Sequence, residues 1–119
     1  GEEVDLNNIC VSNICNFSYV FFYTNRFYGD ISKWDVSNGN YFDSMFLYCY
    51  KFNCDLYDWN VSNGSFFRNM FYGCKKFNSD LSKWSVENAQ YWTYFAKESL
   101  LEQYPERIPL KFREEYINK

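Results

Sequence analysis

The chain predicts an α/β fold: a solenoid of about four 25-residue units, each a strand, a turn and a short helix, closed by a C-terminal helical cap. Three observations predict it. The phrase Trp34-Asp35-Val36-Ser37-Asn38 returns as Trp59-Asn60-Val61-Ser62-Asn63 and as Trp84-Ser85-Val86-Glu87-Asn88, with Ile9-Cys10-Val11-Ser12-Asn13 as a weaker first copy. The register holds without insertion from Glu2 to Leu101. Two hydrophobic periods coexist in each unit, one strand-like and one helix-like. A fixed spacing of this size marks stacked repeats, none of which can bury its own apolar face alone.

The units run over about residues 2–26, 27–51, 52–76 and 77–101, followed by a cap at 102–119, all in one domain. Within the third unit, Leu56-x-x-Trp59-x-Val61 alternates like a short half-buried strand. Ser62-Asn63-Gly64 marks a bend, and Phe67, Met70, Phe71 and Cys74 follow at i, i+3, i+4 and i+7, one face of a short helix. The preceding copy carries Phe42, Met45, Phe46 and Cys49 at those places, and the following copy Trp92, Phe95, Ala96 and Ser99. Strands pack about 4.8 Å apart and helices about 8–10 Å apart, so a concave strand side and a convex helix side are expected. The last repeat helix is expected to extend from about Ala89 to Tyr104. After the two prolines, Leu110–Ile117 reads as a short amphipathic helix able to cover the last unit.

Two polar ladders share the period. Asn13, Asn38, Asn63 and Asn88 align, as do Asp5, Asp30, Asp55 and Asp80. Such residues at bends bond local backbone groups. Calcium is the alternative for the aspartates, but hard-cation sites gather their oxygens within one loop.

Composition narrows the function. A net charge of −3 provides no basic stripe for nucleic acid, and no apolar run is long enough to span a membrane. Gly1-Glu2-Glu3 reads as a cut end and not as a signal peptide. The chain has no histidine, which removes the commonest general base and the commonest nitrogen metal ligand. Five cysteines cannot all pair internally, and Cys49 and Cys74 align with Thr24 and Ser99. That alignment favours a small buried side chain over a disulfide or a zinc ligand. No nucleophile stands beside a base, so no enzyme, cofactor or metal site is expected.

The stretch Met70-Phe71-Tyr72-Gly73-Cys74-Lys75-Lys76-Phe77-Asn78-Ser79-Asp80-Leu81-Ser82-Lys83-Trp84 closely resembles the repeat of the BspA-like leucine-rich-repeat surface proteins, also known as mycoplasma lipoprotein-associated repeat proteins. The likeness covers about residues 26–101 and, more faintly, the first copy. It implies a leucine-rich-repeat-like solenoid used in protein binding or adhesion, on a cell surface or secreted, with no catalytic residues or cofactor to carry over.

Once the inward positions are set aside, the expected helices present a variable outer face. It holds Tyr19 and Tyr23 in the first copy, Tyr41, Ser44 and Tyr48 in the second, Phe66, Arg68, Asn69 and Tyr72 in the third, and Tyr91 and Tyr94 in the fourth. Tyrosine with small polar residues has the composition of a paratope, so a protein ligand is expected there. A glycan ligand and a ligand-free spacer are the alternatives, and self-association through the same patch is a further expectation. A compositional explanation also stands: AT-rich coding favours Asn, Tyr, Phe and Ser. The outer residues of the first three copies are all reachable from an asparagine codon by changing adenines alone, the footprint of a diversity-generating retroelement. Gln90, Lys97 and Glu98 do not fit it.

Overall fold

In a computed structural model that describes residues 4–24 and 29–117, the four copies lie over one another one repeat length apart. Strand β1 (Val4–Asp5) pairs in parallel with β2 (Gly29–Asp30), Val4 opposite Gly29 and Asp5 opposite Asp30. Single parallel bridges continue the register from Asn16 to Tyr41, Phe66 and Tyr91.

The expected solenoid of strand–turn–helix units with a helical cap is not what these residues form. Among the described residues there are only those two two-residue strands, and no helix precedes Leu100. The radius of gyration is 13.0 Å, against about 13.5 Å for a globular domain of this length. The body is small and compact, and the concave strand side and convex helix side are absent.

The backbone bonding of the second copy shows why no helix forms. Phe42, Ser44, Phe46 and Tyr48 donate their amides to the carbonyls of Phe66, Arg68, Met70 and Tyr72 in the next copy. The amides of Met45, Leu47 and Cys49 instead close tight turns onto Phe42, Ser44 and Phe46. Seven of the eight amides from Phe42 to Cys49 are thereby taken, none of them by an i−4 bond. Ser44 (φ 58°) and Tyr48 (φ 61°) are the third residues of their turns, where a type II turn requires positive φ. Tyr19 and Tyr23, Asn69 and Gly73, and Tyr94 and Glu98 repeat the same left-handed pair. A two-turn helix is marginal in isolation, and hydrogen bonds between copies replace it.

Side chains hold the layers in register. Phe17, Phe42 and Phe67 stack with centroids 5.6 and 5.3 Å apart, and Phe21, Phe46 and Phe71 with 5.5 and 5.3 Å. Trp59 and Trp84 lie nearly parallel at 6.5 Å. The three tryptophans of the repeated phrase also donate backwards through the indole: Trp34 to the Leu6 carbonyl, Trp59 to Ile31 and Trp84 to Leu56, at 2.9–3.0 Å. Asn38, Asn63 and Asn88 donate to Ser12, Ser37 and Ser62 of the preceding copy, so this ladder ties copies together and does not close its own turns. The aspartate ladder does bond locally: Asp5, Asp30, Asp55 and Asp80 each accept the amide two residues on. Cys49 and Cys74 are buried free thiols donating to Phe21 and Phe46.

The C-terminal segment covers the last copy without the two helices expected there. It contains 3-10 helices at Leu100–Gln103, Pro105–Arg107 and Leu110–Phe112, then one α turn, α1 (Glu114–Ile117). Phe112 is fully buried against Phe67, Trp92 and Phe95 at 4.9–5.4 Å. The fourth copy makes room for it: Ala96 stands where Phe46 and Phe71 stood, and Phe95 sits edge-on to Phe71.

Candidate functional site: an outer aromatic face

The turns that replace the expected helices bring most of the outer residues together. Tyr41 and Phe66 stack at 4.8 Å and Phe66 and Tyr91 at 5.3 Å, both pairs nearly parallel. Their positions are the bridged residues of successive copies, so the backbone register sets the ring spacing. Tyr41 is 41% and Tyr91 46% exposed, so the file lies on the surface and not in the core.

Arg68 lies along this file, its guanidinium carbon 4.9 Å from the Tyr91 centroid and 5.9 Å from that of Phe66. Asp43 holds it there: one carboxylate oxygen accepts the Arg68 amide at 2.7 Å, and the other pairs with Nη2 at 3.2 Å. A cation over ring faces adds about 0.5–1 kcal/mol at an exposed site. The exposed ion pair contributes about as little.

A second cluster lies across the same segments. Tyr23 meets Tyr48 at 5.0 Å, Tyr48 meets Tyr72 at 5.5 Å, and Tyr72 meets Tyr94 at 6.0 Å. The Tyr48 ring crosses Gly73, where a Cβ would come within 2.6 Å of its Cδ1. The Glu98 carboxylate facing the Tyr72 hydroxyl pushes that phenol above its ordinary pKa. Lys97 Nζ lies 4.3 Å from the Tyr94 ring. Tyr19 packs edge-on to Phe22, which in turn touches Tyr23.

Two expected site residues are placed differently. Ser44 is only 2% exposed, the third residue of a buried turn, and cannot meet a ligand with its hydroxyl. Asn69 is half-buried at φ 58°, at the same turn position, where asparagine tolerates the left-handed backbone. Tyr50 was missed: it is 37% exposed and its ring lies 6.1 Å from Tyr48. It falls after the run assigned to a helix, so spacing offered no signal for it.

An open groove of about 390 Å³ lies elsewhere, lined by Asn53, Cys54, Asp55, Tyr57, Asn78, Ser79 and Asp80. Its aspartates are used in turns: Asp55 accepts Tyr57 and Asp80 accepts Ser82. Among the described residues no cluster of His, Cys, Asp and Glu is arranged to hold a metal ion, and no helix is long and apolar enough to cross a membrane.

Neither a curated protein nor a solved structure matches this chain. A family profile does, over residues 2–105, which include all four copies and the start of the C-terminal cover. On that match the chain belongs to the family described as Mycoplasma protein of unknown function, DUF285.

Proposed function

We propose that the protein is a non-enzymatic binding module whose outer aromatic face takes a protein ligand. The observation that carries this reading is the exposed file of Tyr41, Phe66 and Tyr91 with Arg68 fixed alongside. Rings already stacked in the free protein lose little conformational freedom on binding, and that cost otherwise offsets much of the contact energy. Exposed aromatic patches with an arginine are the usual composition of binding hot spots. The likeness to BspA-like surface repeats supports a binding or adhesive role. A glycan fits less well, since sugars stack on open ring faces and here the faces of Phe66 are covered by its neighbours.

The test replaces Tyr41, Phe66 and Tyr91 together by serine. A protein partner selected from a displayed library by the intact domain should lose at least about tenfold in affinity, about 1.4 kcal/mol. The melting temperature should fall by less than about 5 °C, since the rings are surface residues. Unchanged affinity removes this face from the binding site. Selection of glycans and of no protein would replace the protein ligand by a sugar.

A further inference from the structure

The two ends of the stack are chemically opposite. In the turn segments every copy donates amides to the copy after it: Phe17, Tyr19, Phe21 and Tyr23 bond the carbonyls of Tyr41, Asp43, Met45 and Leu47. The last copy therefore ends in a row of donors, and the C-terminal segment supplies acceptors for it. Tyr94 donates to the Glu115 carboxylate at 3.2 Å, Ala96 to the Tyr116 hydroxyl at 2.9 Å and Glu98 to the Glu102 carboxylate at 2.8 Å. The segment imitates a following copy elsewhere too. Arg107 O accepts Leu81 N as Asp30 O accepts Leu6 N. Lys111 Nζ reaches Glu87 O, the place that Asn38, Asn63 and Asn88 reach on earlier copies.

The first copy presents the complementary edge. The carbonyls of Asn16, Ser18, Val20 and Phe22 occupy the positions at which later copies accept, and among the described residues no hydrogen bond reaches them. Beside them Tyr19, Val20, Phe22 and Tyr23 are 41–57% exposed. We propose that this edge is a docking site for the donor edge of another 25-residue repeat of the same kind, its amides meeting these carbonyls in the register the chain already uses three times and its side chains covering Tyr19, Val20, Phe22 and Tyr23. The occupant is specified by hydrogen-bond polarity: four amides at alternate residues, with apolar side chains to cover that exposed patch. This is strand addition to an open edge, made directional because the turn segment of that edge offers a row of acceptors. A second copy of this chain does not fit. Its donor row is occupied by Glu102, Glu115 and Tyr116, and two first-copy edges would set carbonyl against carbonyl.

The test extends the full chain at its N-terminus with a second copy of residues 52–76 on a short Gly-Ser linker, and follows amide exchange. Amides of the extension corresponding to Phe67, Asn69, Phe71 and Gly73 should exchange at least about 100-fold more slowly than in the free peptide. Exchange of the extension at free-peptide rates, with the parent chain still protected, overturns the proposal. Equal protection in an extension of scrambled sequence overturns it as well. Val20→Asp, which would bury a carboxylate at the position that Met45 and Met70 fill when a preceding copy covers them, should abolish the protection; protection that survives it assigns docking to another surface and also overturns the proposal.

Discussion

Replacing Trp59 by phenylalanine isolates what the tryptophan ladder contributes. Trp59 is 4% exposed, donates Nε1 to the Ile31 carbonyl at 3.0 Å and stacks on Trp84 at 6.5 Å. Phenylalanine keeps an aromatic ring in the file but removes the donor. The Ile31 carbonyl retains the Trp34 amide at 3.1 Å, so it is not orphaned, and the lost bond costs about 0.5–1.5 kcal/mol. Shrinking the ring leaves a void that costs about 1 kcal/mol more. Together these give about 2 kcal/mol, which lowers the melting temperature by roughly 8 °C. A domain of this size has about 6–18 kcal/mol of stability, so the variant stays folded and measurable. Urea unfolding followed by near-ultraviolet circular dichroism reads the loss as a lower midpoint at unchanged slope. Trp84→Phe should behave alike, since Trp84 bonds Leu56 in the same geometry. A loss below about 0.5 kcal/mol in both variants would refute the ladder as a determinant of stability.

Three further outcomes are expected. Gly64→Ala should destabilise by about 1–3 kcal/mol by thermal melting, because the new Cβ would lie 2.8 Å from Phe67 Cε2 while Phe67 is held between Phe42 and Phe112. Thiol labelling of the folded protein should modify exposed Cys10 and Cys15 and spare Cys49 and Cys74 until unfolding. Burial raises Cys49 to about 11 and holds Cys74 well above the ordinary thiol range, whereas the Ser12 hydroxyl lowers Cys10. Stability should fall at both extremes of pH, and melting curves across pH check each side. Asp30 is held at about 2 by the Ser32 hydroxyl and amide. A depressed carboxyl stabilises above about pH 4, and that contribution is lost as pH falls towards 2; Asp30→Asn should flatten this limb. Burial raises the Tyr116 phenol, so its contribution is present below about pH 10 and is lost as pH rises beyond; Tyr116→Phe should flatten the alkaline limb.

The C-terminal segment shows that covering a repeat stack does not require a repeat. Between residues 102 and 117 it shares neither the period nor the helix expected of it, yet it meets the last copy group for group. Carboxylates and a phenol accept where carbonyls would, an ammonium donates where an asparagine amide would, and Phe112 fills the place of the next ring. The acidic character of Glu102 and Glu115 follows from the polarity of the edge they cover, which is a row of donors. An open edge of carbonyls has the opposite requirement, and this polarity makes the first copy selective for its occupant.

Recurrence identified the inward positions well, because a residue repeated every 25 places must meet the same surroundings. Phe42, Met45, Phe46 and Cys49 are all fully buried, as are Phe67, Met70, Phe71 and Cys74. The same spacing misled on secondary structure. A run of i, i+3, i+4 and i+7 describes one helix face, but it equally describes consecutive four-residue turns whose first and last residues point inward. The two differ in where the amides go, and the partner of Phe42 N is a carbonyl 24 residues away that no local window contains. One signal did separate them: Tyr48, Gly73 and Glu98, like Ser44, Asn69 and Tyr94, recur at positions that need positive φ. With a single glycine among the six, side-chain chemistry concealed that need, and Ser44 was consigned to the surface for the same reason. Turns four residues long alternate inside and outside much as a helix does, which is why Tyr41 and Tyr91 are exposed although the helices are absent. Tyr41, Phe66 and Tyr91 therefore point outward under either backbone, but only the bridged backbone brings their rings to about 5 Å of one another.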